Sequence, residues 1–116
     1  ECYPSPYILN PPFEINYVFF ELDYVSKIYT IDIYSQPNLI NGISFDGITV
    51  YIGNTLTPDN VNRGDLSELL RVGTVRGVTK KGDFRRIVLI SPRLAKFIFF
   101  VNPASQDFQI CNIEIN

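Results

Sequence analysis

The sequence predicts an all-β domain, an antiparallel β-sandwich of jelly-roll type, on three observations. Short runs of alternating apolar and polar residues recur along the chain, turn residues punctuate them, and only one brief stretch has helical character. At 116 residues, with 46% hydrophobic and 14% aromatic content, the chain makes one domain, 1–116, with a core of its own.

Taken in order, residues 1–16 hold four of the eight prolines (Pro4, Pro6, Pro11, Pro12), so this segment is expected to be an extended arm outside the central sheet. Tyr17–Val25 alternates Val18, Phe20 and Leu22 against Tyr17, Phe19, Glu21 and Asp23. Lys27–Tyr34 alternates Tyr29, Ile31 and Ile33 against Thr30 and Asp32, and both runs read as half-buried strands. Asn41-Gly42 and Asp46-Gly47 are turn dipeptides, after which Ile48, Val50 and Ile52 mark a strand that stops at Gly53-Asn54. Asp65-Leu66-Ser67-Glu68-Leu69-Leu70 supports one helical turn, with Asp65 as cap and Glu68 at the capping-box position. Lys80-Lys81-Gly82-Asp83 reads as the tip of a hairpin between Val72–Thr79 and Phe84–Ser91, the latter ended by Pro92. Ala95–Val101 and Phe108–Ile115 supply the closing strands.

Ten basic against twelve acidic residues give a net charge of −2, which provides no global field for nucleic acid or an anionic membrane. No stretch reaches the length of a membrane span. Residue 1 is Glu and not Met, which suggests a processed or excised piece. Of the two cysteines, Cys111 lies in the last strand-like run and Cys2 precedes the rigid Tyr3-Pro4-Ser5-Pro6, where packing gives little reason for cysteine. A Cys2–Cys111 disulfide is therefore expected, closing nearly the whole chain and stabilising it by roughly 4–5 kcal/mol. Two free buried thiols are the other reading. The bond implies an oxidising compartment, hence a secreted protein or the extracellular face of a cell.

Several pieces carry a family resemblance. Tyr17–Ile31 resembles the aromatic-rich strand pair of the discoidin-like, coagulation-factor C-domain superfamily. Ile48-Thr49-Val50-Tyr51-Ile52-Gly53-Asn54 is similar to a strand of the fucose-binding F-type lectins (fucolectins) within it. Ala95–Val101 followed by Ile110-Cys111-Asn112-Ile113-Glu114-Ile115 resembles their closing strands. The match runs over about residues 17–116, in order and spacing, with a shortened N-terminal part. The resemblance implies a galactose-binding-like jelly roll whose loops at one end hold a glycan, a lipid head group or a protein. It also implies a fucose site of one histidine and two basic residues, the first in a turn after the second strand. Here that turn reads Ser35-Gln36-Pro37-Asn38 and the chain has no histidine, so the fucose site is expected to be absent. The calcium site implied by the resemblance expects a carboxylate directly after the closing cysteine, where this chain has the neutral Asn112. No cofactor is expected, calcium being the one ion the resemblance leaves open.

Two polar loop clusters are the candidate ligand-binding residues: Gln36, Asn38 and Asn41, and Lys80, Lys81, Asp83, Arg85 and Arg86. Amide, carboxylate and guanidinium groups beside an aromatic face suit sugar hydroxyls, and Tyr34 can supply the face. Alternatively the amides satisfy turn backbones and the basic tip guards a sheet edge. A different function is suggested by Arg63-Gly64-Asp65 continuing as Leu66-Ser67-Glu68-Leu69, which resembles an integrin-binding adhesion loop. Its plain alternative is a turn glycine, a capping aspartate and leucines anchored in the core. Without histidine the usual catalytic triads and most zinc sites are excluded, so no catalytic residues and no metal ligands are assigned and the chain is not expected to be an enzyme. Glu21, Asp23 and Asp32 offer carboxylates for glycoside hydrolysis but read as the wet face of a strand.

The expected function is non-catalytic extracellular recognition, with glycan binding in cell-surface recognition or adhesion first. A protein-binding or structural domain that lost the sugar site, working through Arg63-Gly64-Asp65, is the alternative. The expected partner is an extracellular glycan or a cell-surface protein, within a larger multidomain protein or an oligomer.

Overall fold

A computed structural model describes residues 3–4, 16–34, 47–54, 66–76, 84–102, 109–110 and 112–116. Among the described residues seven strands follow one another: β1 (Tyr3–Pro4), β2 (Asn16–Tyr34), β3 (Thr49–Gly53), β4 (Leu70–Thr74), β5 (Phe84–Asn102), β6 (Gln109–Ile110) and β7 (Asn112–Ile115). All pair antiparallel, five of them in the order β4-β3-β5-β2-β7, and β1 with β6 in a separate two-stranded ladder. This is the antiparallel sandwich that the alternating runs predict.

The sandwich is built by two long strands that cross from one layer to the other. Where the sequence suggests four short strands, Tyr17–Val25 and Lys27–Tyr34 form the single β2, and Phe84–Ile90 and Ala95–Val101 form the single β5. Two slips in their shared register make the crossing. Residues 22–25 of β2 bulge opposite Lys96, with Ser26 Oγ donating to the Tyr24 carbonyl at 3.1 Å, and residues 89–92 of β5 bulge opposite Tyr29. Pro92 does not end its strand because it falls in the second bulge, where no cross-strand partner requires its missing N–H. The N-terminal half of β2 and the C-terminal half of β5 then lie with β3 and β4, while the other halves lie with β7.

The pairing of β4 differs from expectation. It joins β3 and not β5, so the expected pairing of Val72–Thr79 with Phe84–Ser91 is not found among the described residues. At the contact between layers, a β-carbon on Gly73 of β4 would stand 3.0 Å from Ile87 Cγ2 of β5, so glycine is the residue that lets the strands approach. Between the layers pack Val18, Ile28, Ile31, Ile33, Val50, Ile98 and Phe100, with Phe20 edge-on to Phe100 at 5.8 Å. A second cluster of Tyr17, Phe99 and Val101 on the outer face is covered by Leu66 and Leu69. Those leucines belong to a single turn closed by Leu69 N–H donating to the Leu66 carbonyl at 3.1 Å; no helix forms among the described residues. Among the aromatic side chains Phe99 and Phe100 are fully buried, whereas Phe19 is partly exposed against Phe99. No helix among the described residues is long and apolar enough to cross a membrane.

Candidate functional site

The two loops that the sequence marks as polar clusters, 35–46 and 77–83, begin and end at one rim of the sandwich. Tyr34, the last residue of β2, stands directly opposite Phe84, the first of β5. Gly47 N–H donates to the Val75 carbonyl at 2.9 Å and Val75 N–H to the Ile48 carbonyl at 2.7 Å, tying the end of the first loop to the start of the second. Gly47 has a φ of 87°, the left-handed conformation that the Asp46-Gly47 dipeptide predicts. Arg85 Nε donates to the Arg76 carbonyl at 3.4 Å, bridging the two ends of the 77–83 segment.

Gln36, Asn38, Asn41, Lys80, Lys81 and Asp83 lie outside the described residues, as do Arg63, Gly64, Asp65, Cys2 and Cys111. Arg85 and Arg86, grouped by the sequence, part company on β5, because neighbours on a strand point to opposite faces. Arg85 pairs in register with the buried Ile33, and its guanidinium also donates to the Phe84 carbonyl at 3.0 Å. Arg86 lies on the outer face, opposite Asp32.

That outer face is an ordered surface. In one row across three strands stand Phe84, Tyr34 and Asn112, and in the next stand Arg86, Asp32 and Glu114. The Tyr34 and Phe84 rings stack with centroids 5.5 Å apart, and the Arg86 guanidinium sits 5.8 Å from the Phe84 centroid. Arg86 grips Asp32 through both oxygens, Nε to Oδ1 at 2.7 Å and Nη2 to Oδ2 at 2.9 Å. The Asp32 side chain is only 3% exposed while that of Arg86 is 54% exposed, so the arginine roofs the carboxylate and shows its other edge to solvent. Hydrogen bonding to Arg86, against the opposing cost of burial, holds Asp32 below the usual carboxylate range. Desolvation, helped by the Glu114 carboxylate and its hydrogen bond, holds the Tyr34 hydroxyl above its ordinary value, so it remains a neutral donor at physiological pH.

Chemically the rim offers an apolar plate edged by a guanidinium, carboxylates, a phenol and an amide. Such a surface can hold a polar ring compound through its flat face and its hydroxyls together. Where the resemblance expects a carboxylate, Asn112 is neutral, and its Oδ1 accepts the Ile113 N–H at 2.9 Å. No group of three His, Cys, Asp or Glu able to hold a metal ion occurs among the described residues. The carboxylates considered for hydrolysis are separated. Glu21 sits 3.6 Å from Lys96 in one layer, while Asp32 is bound to Arg86 in the other. Phe84 and Glu114 escape the sequence reading. The outward series Phe84, Arg86, Val88 beside the tip was the available signal for Phe84, but Glu114 needs the β2–β7 pairing, which no local pattern encodes.

A separate cavity of about 140 Å³ lies at the other end of β4, between Leu70, Val72, Ile90 and Arg93. Its lining is mostly apolar.

No family model matches the chain, and no curated protein matches it in sequence. Solved structures do. A fucolectin from striped bass (Morone saxatilis) serum superposes with a TM-score of 0.73 at 14% identity, over 98% of this chain and 35% of that one. This chain thus spans about a third of that lectin chain. Chitosan-binding module 1 of a chitosanase/glucanase from Paenibacillus sp. IK-5 superposes at 0.58 with 12% identity, covering 89% of this chain and 69% of the module. CpGH89CBM32-6 from Clostridium perfringens does so at 0.58 with 19% identity, covering 99% and 75%. The fold is that of the galactose-binding-like, discoidin-type sandwiches, as the resemblance of the strand motifs implies.

Proposed function

We propose that the chain is a non-catalytic carbohydrate-binding domain acting outside the cell, with its glycan seated at the rim where Tyr34 and Phe84 stand. The observation that carries this reading is the stacked Tyr34–Phe84 pair, placed where both polar loops leave the sandwich and edged by Arg86, Glu114 and Asn112. A fucolectin and a chitosan-binding module among the proteins of similar fold support the ligand class. The sugar is held differently from fucose in a fucolectin, because the chain has no histidine and carries Gln36 where the resemblance expects a base.

Extracellular work is supported by the β1–β6 ladder. Tyr3 opposite Ile110 joins the sequence neighbours of Cys2 and Cys111, which favours a disulfide between them.

A glycan array with and without calcium, on the wild-type domain and on Tyr34→Ala and Phe84→Ala, tests the reading. Selective binding that falls by roughly tenfold or more in each variant is expected. Binding that neither variant weakens places the sugar elsewhere.

The second reading is adhesion through Arg63-Gly64-Asp65. It is favoured by the motif itself, and Leu66, which follows it in sequence, packs on the outer-face cluster. Leu66 and Leu69 face inward there, so no leucine face extends the motif. A silent array together with cell attachment abolished by Asp65→Glu identifies this function instead.

A further inference from the structure

The end of the sandwich away from the Tyr34–Phe84 rim carries a furrow that the carbohydrate reading leaves unused. The cavity of about 140 Å³ beside Leu70, Val72 and Ile90 adjoins a second hollow of about 390 Å³, which Asn54, Glu68 and Leu94 help to line. Leu70 and Arg93 line both, so the two are continuous. The bulge in β5 shapes this furrow. Residues 89–92 have no cross-strand partner in β2, and within them Leu89 is buried while Ile90 stands fully exposed. Leu94 is 62% exposed and Leu70 45%. A single aliphatic side chain in water is ordinary, but three around one concavity form a patch of the kind that marks a binding surface.

Charge gives the furrow a direction. Arg93 and Glu68 both line the larger hollow, yet among the described residues neither makes a hydrogen bond or an ion pair, with the other or with anything else. Arg71, at the smaller cavity, is already engaged, its Nη2 donating to Thr74 Oγ1 at 2.8 Å. The order along the furrow is thus an aliphatic cavity, a free guanidinium at the junction, and a free carboxylate beyond it. That order selects among ligands. Among the described residues no aromatic side chain lines either hollow, so a sugar ring finds no flat face there. An anionic lipid surface calls for bases without a carboxylate between them, and Glu68 stands inside the concavity. An extended peptide meets both conditions, because side chains two apart share one face and can enter the furrow together. The lip from Ile90 to Leu94 is about 13 Å long, the reach of about five residues of such a peptide.

We propose that this furrow docks an extended peptide segment of a protein partner, with an aliphatic side chain in the cavity beside Leu70 and Ile90, an acidic one on Arg93 and a basic one on Glu68. The competing explanation is that the exposed aliphatics merely follow from the bulge that bends β5 between layers. The two differ in what they demand of a partner. A bend is indifferent to the order of charges along a peptide, whereas recognition depends on it.

NMR titration of the whole isotopically labelled domain distinguishes them, using two end-capped peptides of identical composition, Thr-Leu-Thr-Asp-Thr-Lys-Thr and Thr-Leu-Thr-Lys-Thr-Asp-Thr. The first presents the aliphatic, acidic and basic side chains in the order of the furrow; the second exchanges the charges. Wild type is expected to bind the first about fivefold or more tighter, with saturable shifts at Leu70, Ile90 and Arg93. The swapped pair Glu68→Arg/Arg93→Glu, at two exposed positions, is expected to reverse that preference, and Ile90→Ser to weaken the first peptide about threefold or more. Chitohexaose and phosphatidylserine vesicles are the controls. Equal affinity for the two peptides, or a preference that survives the swap, overturns the inference. Silence towards both peptides also overturns it, as do furrow shifts that chitohexaose or the vesicles produce more strongly than either peptide. Each of these failures leaves a glycan at Tyr34 and Phe84 untouched, since none of the variants lies at that rim.

Discussion

The replacement Gly73→Ala probes the layered architecture at one point. The new β-carbon would lie 3.0 Å from Ile87 Cγ2 and 3.3 Å from Ile87 Cδ1, where carbon atoms ordinarily rest about 3.5–4.0 Å apart. Ile87 has little room to retreat, being buried and paired with Ile31 in the ladder of β2 and β5. Overpacking of this kind costs about 1–3 kcal/mol, and the reduced backbone entropy of alanine in the unfolded chain offsets about 0.4–1 kcal/mol of it. A net loss of about 1 kcal/mol is expected, which for a domain of this size lowers the melting temperature by about 3–6 °C. Urea denaturation of a double-mutant cycle isolates the contact. Ile87→Ala alone costs about 2–4 kcal/mol by opening a cavity, and in that background Gly73→Ala should become neutral or slightly stabilising. The coupling between the two sites is then about 1 kcal/mol or more. If Gly73→Ala is equally stable or stabilising in both backgrounds, Gly73 of β4 does not meet Ile87 of β5 across the core.

Three further predictions follow from the same structure. Asp32 has a folded pKa below its unfolded value, so its contribution is complete above the normal carboxylate range and is lost as pH falls through the folded value. Urea midpoints measured from pH 7 to pH 2 should therefore drop less steeply at the acid end in Asp32→Asn than in wild type, and parallel curves would contradict the Arg86 clamp. Reduction of a Cys2–Cys111 bond should cost about 4–5 kcal/mol of stability, read as a lower urea midpoint in reductant, whereas two native thiols that alkylate freely would refute the bond. Chelation should change neither melting temperature nor glycan binding, since Asn112 Oδ1 is committed to its own backbone; a loss of several degrees on adding EDTA would restore a calcium site.

Much of the fold was legible because strand alternation is a local signal. Val18, Ile31, Ile33, Val50 and Ile52 all lie where their periodicity places them, in the core between the layers. What alternation does not carry is how strands continue and whom they pair with. Pro92 and the slip near Val25 look like breaks in sequence, yet in space they are bulges that bend one strand between two layers. The turn residues between Val72 and Phe84 read as a hairpin tip, but β4 pairs with β3, a choice of partner that local turn chemistry does not encode. The site was legible in outline for a related reason. Tyr34 and Arg86 were visible as an aromatic and a base near polar loops, while Phe84 as a stacking partner, and Asp32 and Glu114 as neighbours, arise from pairings of β2 with β5 and β7 across 54 and 82 positions of sequence.

The claim that a glycan occupies the Tyr34–Phe84 rim is tested most directly by an amide and aromatic NMR titration of the isotopically labelled domain with the best-binding glycan. Saturable shifts concentrated on Tyr34, Phe84, Arg86, Asn112 and Glu114 are predicted. Shifts gathered instead around Leu70, Ile90 and Arg93, with the Tyr34 and Phe84 ring signals unmoved, would contradict it.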